Sequence, residues 1–258
     1  MNILNKIILE KKKAIKLAKQ KLPLESLLSR IKKAPKARSF RRALNKKERP
    51  VLIAEIKRAS PSQGLIRRDF NPVKIAKIYE KSGAVALSVL TEEDFFHGKL
   101  DYIGRIKKEV NLPILRKDFI VDEYQIYESR VWGADAILLI STILPIEKLK
   151  KFINLSNKLK LDCLVECDCV ASLKKALGAR AEIIGINNRD LHNFKVDINR
   201  TKRLVKFIPK NKIIVSESGI RTKNDVEFLK NLGVNAVLIG ETFMKSKDIG
   251  AKVKELFG

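Results

Sequence analysis

The sequence contains no apolar run that approaches the roughly 20 residues needed to span a bilayer. No membrane partner is therefore expected. The opening residues, MNILNKIILEKKKAIK, place an apolar patch ahead of their lysines and include no small-residue cleavage site. A secretory signal peptide has the opposite order, so we expect a cytoplasmic protein.

Cysteine and histidine are also scarce, with three and two residues respectively. Cys163, Cys167 and Cys169 are bunched in LDCLVECDCV, where no histidine lies nearby and the spacing matches no zinc template. Cys163 falls on the strand face that should pack on helices, which favours a small buried thiol. His97 and His192 are interpreted as loop residues, because neither lies near a second metal-type side chain. No metal site is predicted.

Acidic residues are outnumbered, since 29 Asp and Glu stand against 54 Lys and Arg, for a net charge of +25. Residues 1–50 hold 17 of the basic residues and only three acidic ones. This segment has Phe40 as its only aromatic residue and no RNA-binding signature. We interpret it as a solvated basic extension without a nucleic-acid partner. Attraction of an anionic substrate is a functional alternative, and a basic RNA-binding or scaffolding protein is another.

After residue 50, short β-branched runs alternate with amphipathic helical stretches, as in a parallel sheet covered on both faces. Eight units, and no G-x-G-x-x-G after the first run, favour a closed barrel over an open doubly wound sheet. The runs are Val51–Lys57, Val85–Leu90, Pro113–Lys117, Asp135–Ile140, Leu161–Glu166, Ile183–Asn188, Lys212–Glu217 and Asn235–Ile239.

The predicted fold is therefore α/β, a (β/α)₈ TIM barrel with an N-terminal helical extension. Residues 1–258 are predicted to form a single domain, of which 1–50 are the extension. Apolar spacing predicts extension helices over Leu4–Lys19 and Leu24–Ile31. Four barrel helices are predicted from their spacing and terminal residues, over 72–83, 121–133, 145–159 and 222–233.

Active sites of such barrels lie at the C-terminal ends of the strands, where this sequence is rich in polar residues. Alternation along a strand can direct these side chains inward. Lysines crowded by cations would have lowered pKa values, and glutamates near apolar groups raised ones, which suits proton transfer. Six catalytic candidates come from five strands: Glu55, Lys57, Lys117, Glu166, Asn187 and Glu217.

Glycines follow the last two strands, as Ser218-Gly219 and Gly240-Glu241. In many (β/α)₈ enzymes these two loops and a short helix N-terminus form a phosphate site. Glycine lets the backbone approach closely, and its amides supply positive potential. The pattern predicts a phosphate-binding end of the site.

Seven motifs, in order from about residue 50 to the end, give the chain a family resemblance. The chain resembles the indole-3-glycerol phosphate synthases, whose helical N-terminal extension it also shares. The motifs are EIKRASPSQG (55–64), LTEEDFFHG (90–98), LRKDF (115–119), LVE (164–166), INNRDL (186–191), SESGI (216–220) and IGETFM (239–244).

The resemblance implies a lyase of tryptophan biosynthesis that needs no cofactor. Its substrate is a small phosphorylated molecule, 1-(2-carboxyphenylamino)-1-deoxyribulose 5-phosphate, which undergoes ring closure with decarboxylation and dehydration. Lys117 is then the general acid at the ketone, and Glu166 moves protons in the dehydration, shared with Lys57. Lys57 also pairs with the substrate carboxylate and with Glu55. The unique assignment of acid and base among Lys117, Lys57 and Glu166 stays open at this point.

By the same resemblance, Asn187 and Glu217 orient hydroxyls and stabilise a developing cation, with support from Arg189. Leu138 is interpreted either as a wall of the site or as core. The remaining binding candidates are Phe96 and Phe119 for the aromatic ring, and Ser60, Ser218, Gly219, Gly240 and Glu241 for the phosphate.

Two alternatives remain beside this interpretation. One is another phosphate-binding barrel, such as the isomerase of the preceding step, which should lack the trio Glu55, Lys57 and Lys117. The other is the RNA-binding protein suggested by the charge. A monomer is expected, with an oligomer left open.

Overall fold

The computed structural model describes residues 3–48, 50–190 and 194–258. The prediction for His192 falls outside these residues. Eight parallel strands close a barrel in chain order, with β1 paired to both β4 and β10, so the predicted TIM barrel is confirmed. The strands are β1 (Val51–Ile56), β2 (Ala59–Ser60), β3 (Gly64–Leu65), β4 (Ala86–Leu90), β5 (Ile114–Lys117), β6 (Ala136–Ile140), β7 (Asp162–Cys167), β8 (Ile183–Asn187), β9 (Ile213–Glu217) and β10 (Ala236–Ile239).

All eight barrel strands were predicted to within one residue at each end. The short antiparallel hairpin of β2 and β3, which pairs Ala59 with Leu65, was not predicted. Its strands are two residues long, too short to show a period.

Helices alternate with the strands around the outside of the barrel. They are α1 (Ile3–Lys21), α2 (Leu24–Ile31), α3 (Phe40–Leu44), α4 (Pro72–Lys81), α5 (Asp101–Lys107), α6 (Glu123–Val131), α7 (Ile146–Lys158), α8 (Val170–Gly178), α9 (Asn199–Leu204), α10 (Lys223–Asn231), α11 (Glu241–Met244) and α12 (Ile249–Phe257). Within the described part of the chain, no helix is both long and apolar enough to cross a membrane.

Side chains that cap helices mark several of the predicted starts. The Asp122 side chain accepts a hydrogen bond from the Tyr124 amide at the start of α6, and Thr222 does the same for Asp225 at α10. Pro145 is the N-cap of α7, one position earlier than the first-turn position expected for it.

Alternate residues of the strands face two separate apolar layers. Ile53, Leu115 and Leu164 fill the barrel interior, which we call the inner cluster. Their neighbours in sequence, such as Val165, pack against the helices in an outer layer. Cys163 is buried in that outer layer, as expected from its strand face. The same alternation continued to the strand ends brings Lys117 and Glu166 into the barrel mouth.

The N-terminal extension reaches both ends of the barrel. Leu4 and Ile7 of α1 join the inner cluster next to Phe119, at the mouth. At the opposite end, Phe40 and Leu44 of α3 are fully buried in the same cluster. The backbone amides of Arg38 and Arg41 bind Asp135 and Asp162, which lie at the N-terminal ends of β6 and β7. We call this end, closed by α3, the floor.

Candidate active site

The C-terminal ends of the barrel strands open into a cavity of about 560 Å³. All the residues predicted above as catalytic or substrate-binding line this cavity. They come from β1, β5, β6, β7, β8, β9 and the loops that follow the strands. One chain thus brings together groups that are up to 186 positions apart in the numbering, from Glu55 to Glu241.

Lys117, at the end of β5, lies between the carboxylates of Glu166 on β7 and Glu217 on β9. Its Nζ is 3.0 Å from Glu166 Oε2 and also contacts Glu217 Oε2. Burial raises the pKa of Glu217 to about 7, with Lys117 opposing the shift and Glu166 adding to it. Glu217 Oε1 is buried and has no hydrogen-bond partner among the residues that the structure describes. Glu217 is therefore a carboxyl group that can change its charge near neutral pH.

The pKa of Lys117 lies above its usual value, which corrects the lowered lysine pKa expected from the sequence. Burial by itself would lower the pKa of Lys117, but the nearby Glu217, Glu166 and Glu55 carboxylates outweigh it. The prediction was wrong because strand-end spacing shows which residues share the mouth but not which of them are in contact. Lys117 carries its proton at neutral pH and can act as an acid.

A second lysine–glutamate pair lies on β1 and just beyond it. Lys57 Nζ is 2.7 Å from Glu55 Oε1, and Glu55 is only 5% exposed. A β-carbon on Gly240 would lie 2.9 Å from both Cβ and Cδ of Glu55, so only glycine leaves this carboxylate its place. Gly185 makes room for the Glu217 carboxylate in the same way. Gly185 was not predicted, although its inward position on β8 could have indicated it.

The loops after β8 and β9 form the other end of the cavity. Asn187 Oδ1 accepts hydrogen bonds from Ser218 Oγ at 2.9 Å and from the Arg189 amide at 3.0 Å. Ser218 and Gly219 have φ values of 70° and 79°, two successive left-handed residues that turn the backbone sharply. Ser218 is a non-glycine residue in this strained region, a feature that clusters at functional sites.

Basic side chains surround this end of the cavity. Arg189 is 2.8 Å from the Glu241 carboxylate, which also pairs with Lys245 at 2.7 Å. Although burial opposes it, these cations lower the pKa of Glu241. Glu241 thus lies where predicted, but its carboxylate is occupied by cations, so its backbone amide at the start of α11 is the group left for an anion. Arg221 and Lys252 also line the cavity and were not predicted.

Apolar side chains form the remaining walls. The rings of Phe96 and Phe119 have centroids 6.2 Å apart and planes inclined at 42°. Leu138 lines the cavity and also belongs to the inner cluster, so both interpretations of it hold. Phe194 and Ile140 were missed. Inward alternation on β6 could have indicated Ile140, whereas Phe194 comes from a loop without any period.

The fold and this mouth define a (β/α)₈-barrel enzyme with an acid–base cluster beside a basic, anion-attracting end. The chain matches the family model described as indole-3-glycerol phosphate synthase over residues 4–256. The chain belongs to the indole-3-glycerol phosphate synthase family. The carboxy-lyase activity in tryptophan biosynthesis that the motifs predicted is thereby confirmed.

Two curated relatives agree with this family over nearly their whole length. The indole-3-glycerol phosphate synthase of Thermoanaerobacter pseudethanolicus is 53% identical, covering 98% of this chain and 96% of the relative. That of Legionella pneumophila strain Paris is 48% identical, covering 99% and 98%. Among solved structures, 3-hexulose-6-phosphate synthase from Salmonella typhimurium has a TM-score of 0.66 at 14% identity, covering 80% of this chain and 96% of that one. This last likeness supports the fold alone.

Proposed function

We propose that the cavity converts 1-(2-carboxyphenylamino)-1-deoxyribulose 5-phosphate into indole-3-glycerol phosphate, carbon dioxide and water. The observation that carries the proposal is Lys117, held between Glu166 and Glu217 in the mouth. In the reaction, the ring carbon that bears the carboxylate attacks the ketone carbon. Carbon dioxide then leaves, and the former ketone oxygen departs as water.

Lys117 is the general acid in this proposal. As the carbon–carbon bond forms, negative charge develops on the ketone oxygen, which needs a proton at that moment. The neighbouring carboxylates raise the pKa of Lys117, so the ammonium is protonated at neutral pH and has a proton to donate. Glu166, which is 3.0 Å from the lysine nitrogen, carries protons for the later loss of water.

Lys57 binds the substrate carboxylate until it departs, and shares proton transfer with Glu166. The contact with Glu55 supports this role, because it holds the ammonium of Lys57 at the cavity wall. Asn187 and Glu217 orient the ribulose hydroxyls. Glu217 also stabilises the positive charge that develops when the hydroxyl leaves, and an ionised carboxylate in a buried mouth does so strongly.

The remaining residues bind the two ends of the substrate. Phe96, Phe119 and Leu138 enclose the aromatic ring, with support from the spacing of the two phenyl rings. At the opposite end, the Arg189 amide donates a hydrogen bond to Asn187, and the Arg189 guanidinium pairs with Glu241. The phosphate is bound chiefly by backbone amides of Ser218, Gly219, Gly240 and Glu241, which follow β9 and β10, with Ser60 of β2 completing the site.

One assay tests this function directly. Enzyme dialysed against a chelator is mixed with the carboxyphenylamino-ribulose phosphate, and indole fluorescence is followed without added metal or cofactor. We expect indole-3-glycerol phosphate to form at the full rate. Loss of turnover that added metal restores would contradict the cofactor-free mechanism, and no turnover under any condition would contradict the proposed substrate.

We further propose that the protein acts as a cytoplasmic monomer without a nucleic-acid partner. The mouth of a single barrel supplies all the proposed site residues, so the proposed site needs no second copy of the chain. Light scattering coupled to gel filtration should give the 29.3 kDa mass of one chain. Salt-sensitive RNA binding, lost steeply between low and moderate salt, would favour the alternative suggested by the +25 charge.

A further inference from the structure

One lysine of α1 is buried, on a helix whose other lysines are all exposed. The buried face of α1 consists of Leu4, Ile7, Lys11 and Ile15, and all of α1 lies in the described part of the chain. Lys11 is 8% exposed, and its Nζ is 2.9 Å from Asp118 Oδ1 and 3.8 Å from Glu92 Oε1. Its ammonium therefore joins two loops of the barrel mouth.

Both carboxylates also hold the backbone of an aromatic wall of the cavity. Asp118 Oδ1 accepts a hydrogen bond from the Phe119 amide at 2.8 Å. Glu92 Oε2 accepts hydrogen bonds from the Phe95 and Phe96 amides at 2.8 and 3.2 Å. The backbones that carry the two rings, on separate loops, are thus held by two carboxylates that share one ammonium group.

Asp118 is held from the barrel side as well. Its Oδ2 accepts hydrogen bonds from Thr91 Oγ1 at 2.7 Å and from Arg116 at 3.0 Å. Thr91 directly precedes Glu92, so the two loops touch each other beneath Lys11. Lys11 adds a further contact between the two loops from α1, since its ammonium binds both carboxylates.

From this geometry we infer that Lys11 is a positioning residue, which sets the separation of Phe96 and Phe119 by holding Glu92 and Asp118 together. The inference rests on the proposed function, in which these two rings enclose the aromatic ring of the substrate. Lys11 itself does not line the cavity, so it acts only through the two loops.

Attachment of α1 to the barrel does not require a lysine at this position. Leu4 and Ile7 already pack into the inner cluster, and an apolar residue at position 11 would hold the helix without the desolvation of a buried charge. What an apolar residue would not provide is a bond to two carboxylates at fixed distances. The buried charge of Lys11 is explained by the carboxylates of the two loops, which it holds close together.

Three variants test the inference by steady-state kinetics. Lys11→Met keeps the side-chain length and removes the charge, Lys11→Arg keeps the charge, and Lys12→Met changes the exposed neighbour as a control. We expect Lys11→Met to raise KM about tenfold, the size associated with a lost hydrogen bond to a charged group, while kcat changes much less. Lys11→Arg should stay within about threefold of the parent enzyme and Lys12→Met should match it.

Inhibition by inorganic phosphate separates positioning from general loosening of the mouth. Phosphate probes the loops after β9 and β10, which carry neither ring and neither carboxylate bound by Lys11, so its inhibition constant should be the same in Lys11→Met and the parent. An equal rise in the KM and in the phosphate inhibition constant, with no rescue by Lys11→Arg, would overturn the inference in favour of a merely structural role.

A double-mutant cycle with Phe119→Ala distinguishes failure of this inference from failure of the proposed function. If Lys11 acts through the ring, Lys11→Met should add little to the KM of the Phe119→Ala enzyme. A raised KM in Phe119→Ala but none in Lys11→Met would overturn only the positioning role. An unchanged KM in Phe119→Ala would contradict the proposed ring site.

If Lys11→Met does not fold, Glu92→Gln tests the same connection from the other side. It removes the charge that Lys11 binds while keeping an oxygen for the Phe95 and Phe96 amides. We expect a KM rise of about threefold with phosphate inhibition unchanged. A KM equal to that of the parent would overturn the inference.

Discussion

The mouth and the floor of this barrel both bury charge but satisfy it differently, since the floor carboxylate of Asp135 accepts hydrogen bonds from Lys107 and from the Arg38 and Ile114 amides. At the mouth, Lys117, Glu166 and Glu217 bring charge into a buried space, and Glu217 retains an oxygen without a partner in the described part of the chain. At the floor, Phe40 and Leu44 are fully buried among apolar strand residues. Burying an ion pair is often unfavourable relative to apolar packing, whereas a buried Phe or Leu contributes about 1.5–3 kcal/mol. The mouth therefore serves the chemistry, and the floor serves stability.

Removing the proposed acid, Lys117, should have the largest effect on activity. Lys117→Ala should lower kcat by at least about 10²-fold and up to 10⁴-fold, because general acid catalysis contributes that much. The KM should change far less, since the proton is needed only in the transition state. Steady-state indole fluorescence measures kcat and KM. Lys202→Ala, at an exposed position of α9, is the control. A Lys117→Ala enzyme within tenfold of the parent would sink the assignment.

Truncating a core residue at the floor should lower stability and leave catalysis nearly unchanged. Phe40→Ala should lower the free energy of unfolding by about 3–5 kcal/mol, as other large core truncations do. The kcat and KM of the folded fraction should stay close to those of the parent, because the floor lies at the opposite end from the chemistry. Urea denaturation gives the unfolding free energy. Phe207→Ala is the control, because Phe207 is 58% exposed and should change stability by less than about 0.5 kcal/mol.

The pH dependence of kcat tests the role of the Glu217 carboxylate in the mouth. Since burial raises the pKa of Glu217 to about 7, kcat should fall as pH is lowered through 7, when the carboxylate takes up a proton and no longer stabilises the cation. A pH–rate profile from 6 to 8 should show about a tenfold change, which Glu217→Gln should flatten at a low rate. A parent profile that is flat through pH 7 would contradict the role of this carboxylate.

The same group makes a prediction about stability. The native pKa of Glu217 is above the usual value of 4.5, so the folded state holds a proton that the unfolded state has lost between those two pH values. Ionisation of Glu217 therefore disfavours the folded state as pH rises from about 4.5 to 7. The difference in Tm between Glu217→Gln and the parent should grow in favour of the variant as pH rises from about 4.5 to 7. A Tm difference that stays constant over this pH range would argue against the raised pKa of Glu217.

The extension offers a further test, because it touches both ends. A deletion of residues 1–33 removes α1 and α2 but keeps Phe40 and the backbone contacts of Arg38 at the floor. Because the deletion removes Lys11, we expect a KM at least about tenfold higher, together with a lower Tm. The barrel should stay folded and keep residual activity, since the proposed catalytic residues all lie beyond Val51. Circular dichroism and steady-state kinetics measure these. An unchanged KM and Tm would mean that α1 and α2 contribute nothing to the mouth.

The barrel and the members of its site were predictable because both depend on strong local patterns. Apolar β-branched runs located all eight strands, and polar residues at their ends located Lys117, Glu166 and Glu217. The helix α3 was missed because five residues in a basic stretch, with one Phe and one Leu, show no period. A cut at residue 40, which the two predicted extension helices would suggest, would therefore damage the floor.

Electrostatic details were beyond the sequence because they depend on which side chains meet across the mouth. The raised pKa of Lys117 follows from carboxylates on β7, β9 and β1, distant in the chain. Lys11 was hidden for a similar reason. It is one lysine among many in a basic helix, and only the packed structure shows that it is buried against Asp118.

The central claim is that one mouth binds the aromatic ring at Phe96 and Phe119, the phosphate beyond β9 and β10, and the reacting carbon at Lys117. A crystal structure with indole-3-glycerol phosphate bound tests it most directly. We expect the indole beside the two phenyl rings and the phosphate on the amides at Ser218-Gly219 and Gly240-Glu241. Lys117 Nζ should lie about 3 Å from the site of the departed oxygen. A phosphate bound elsewhere in the mouth, or an indole away from both rings, would contradict it.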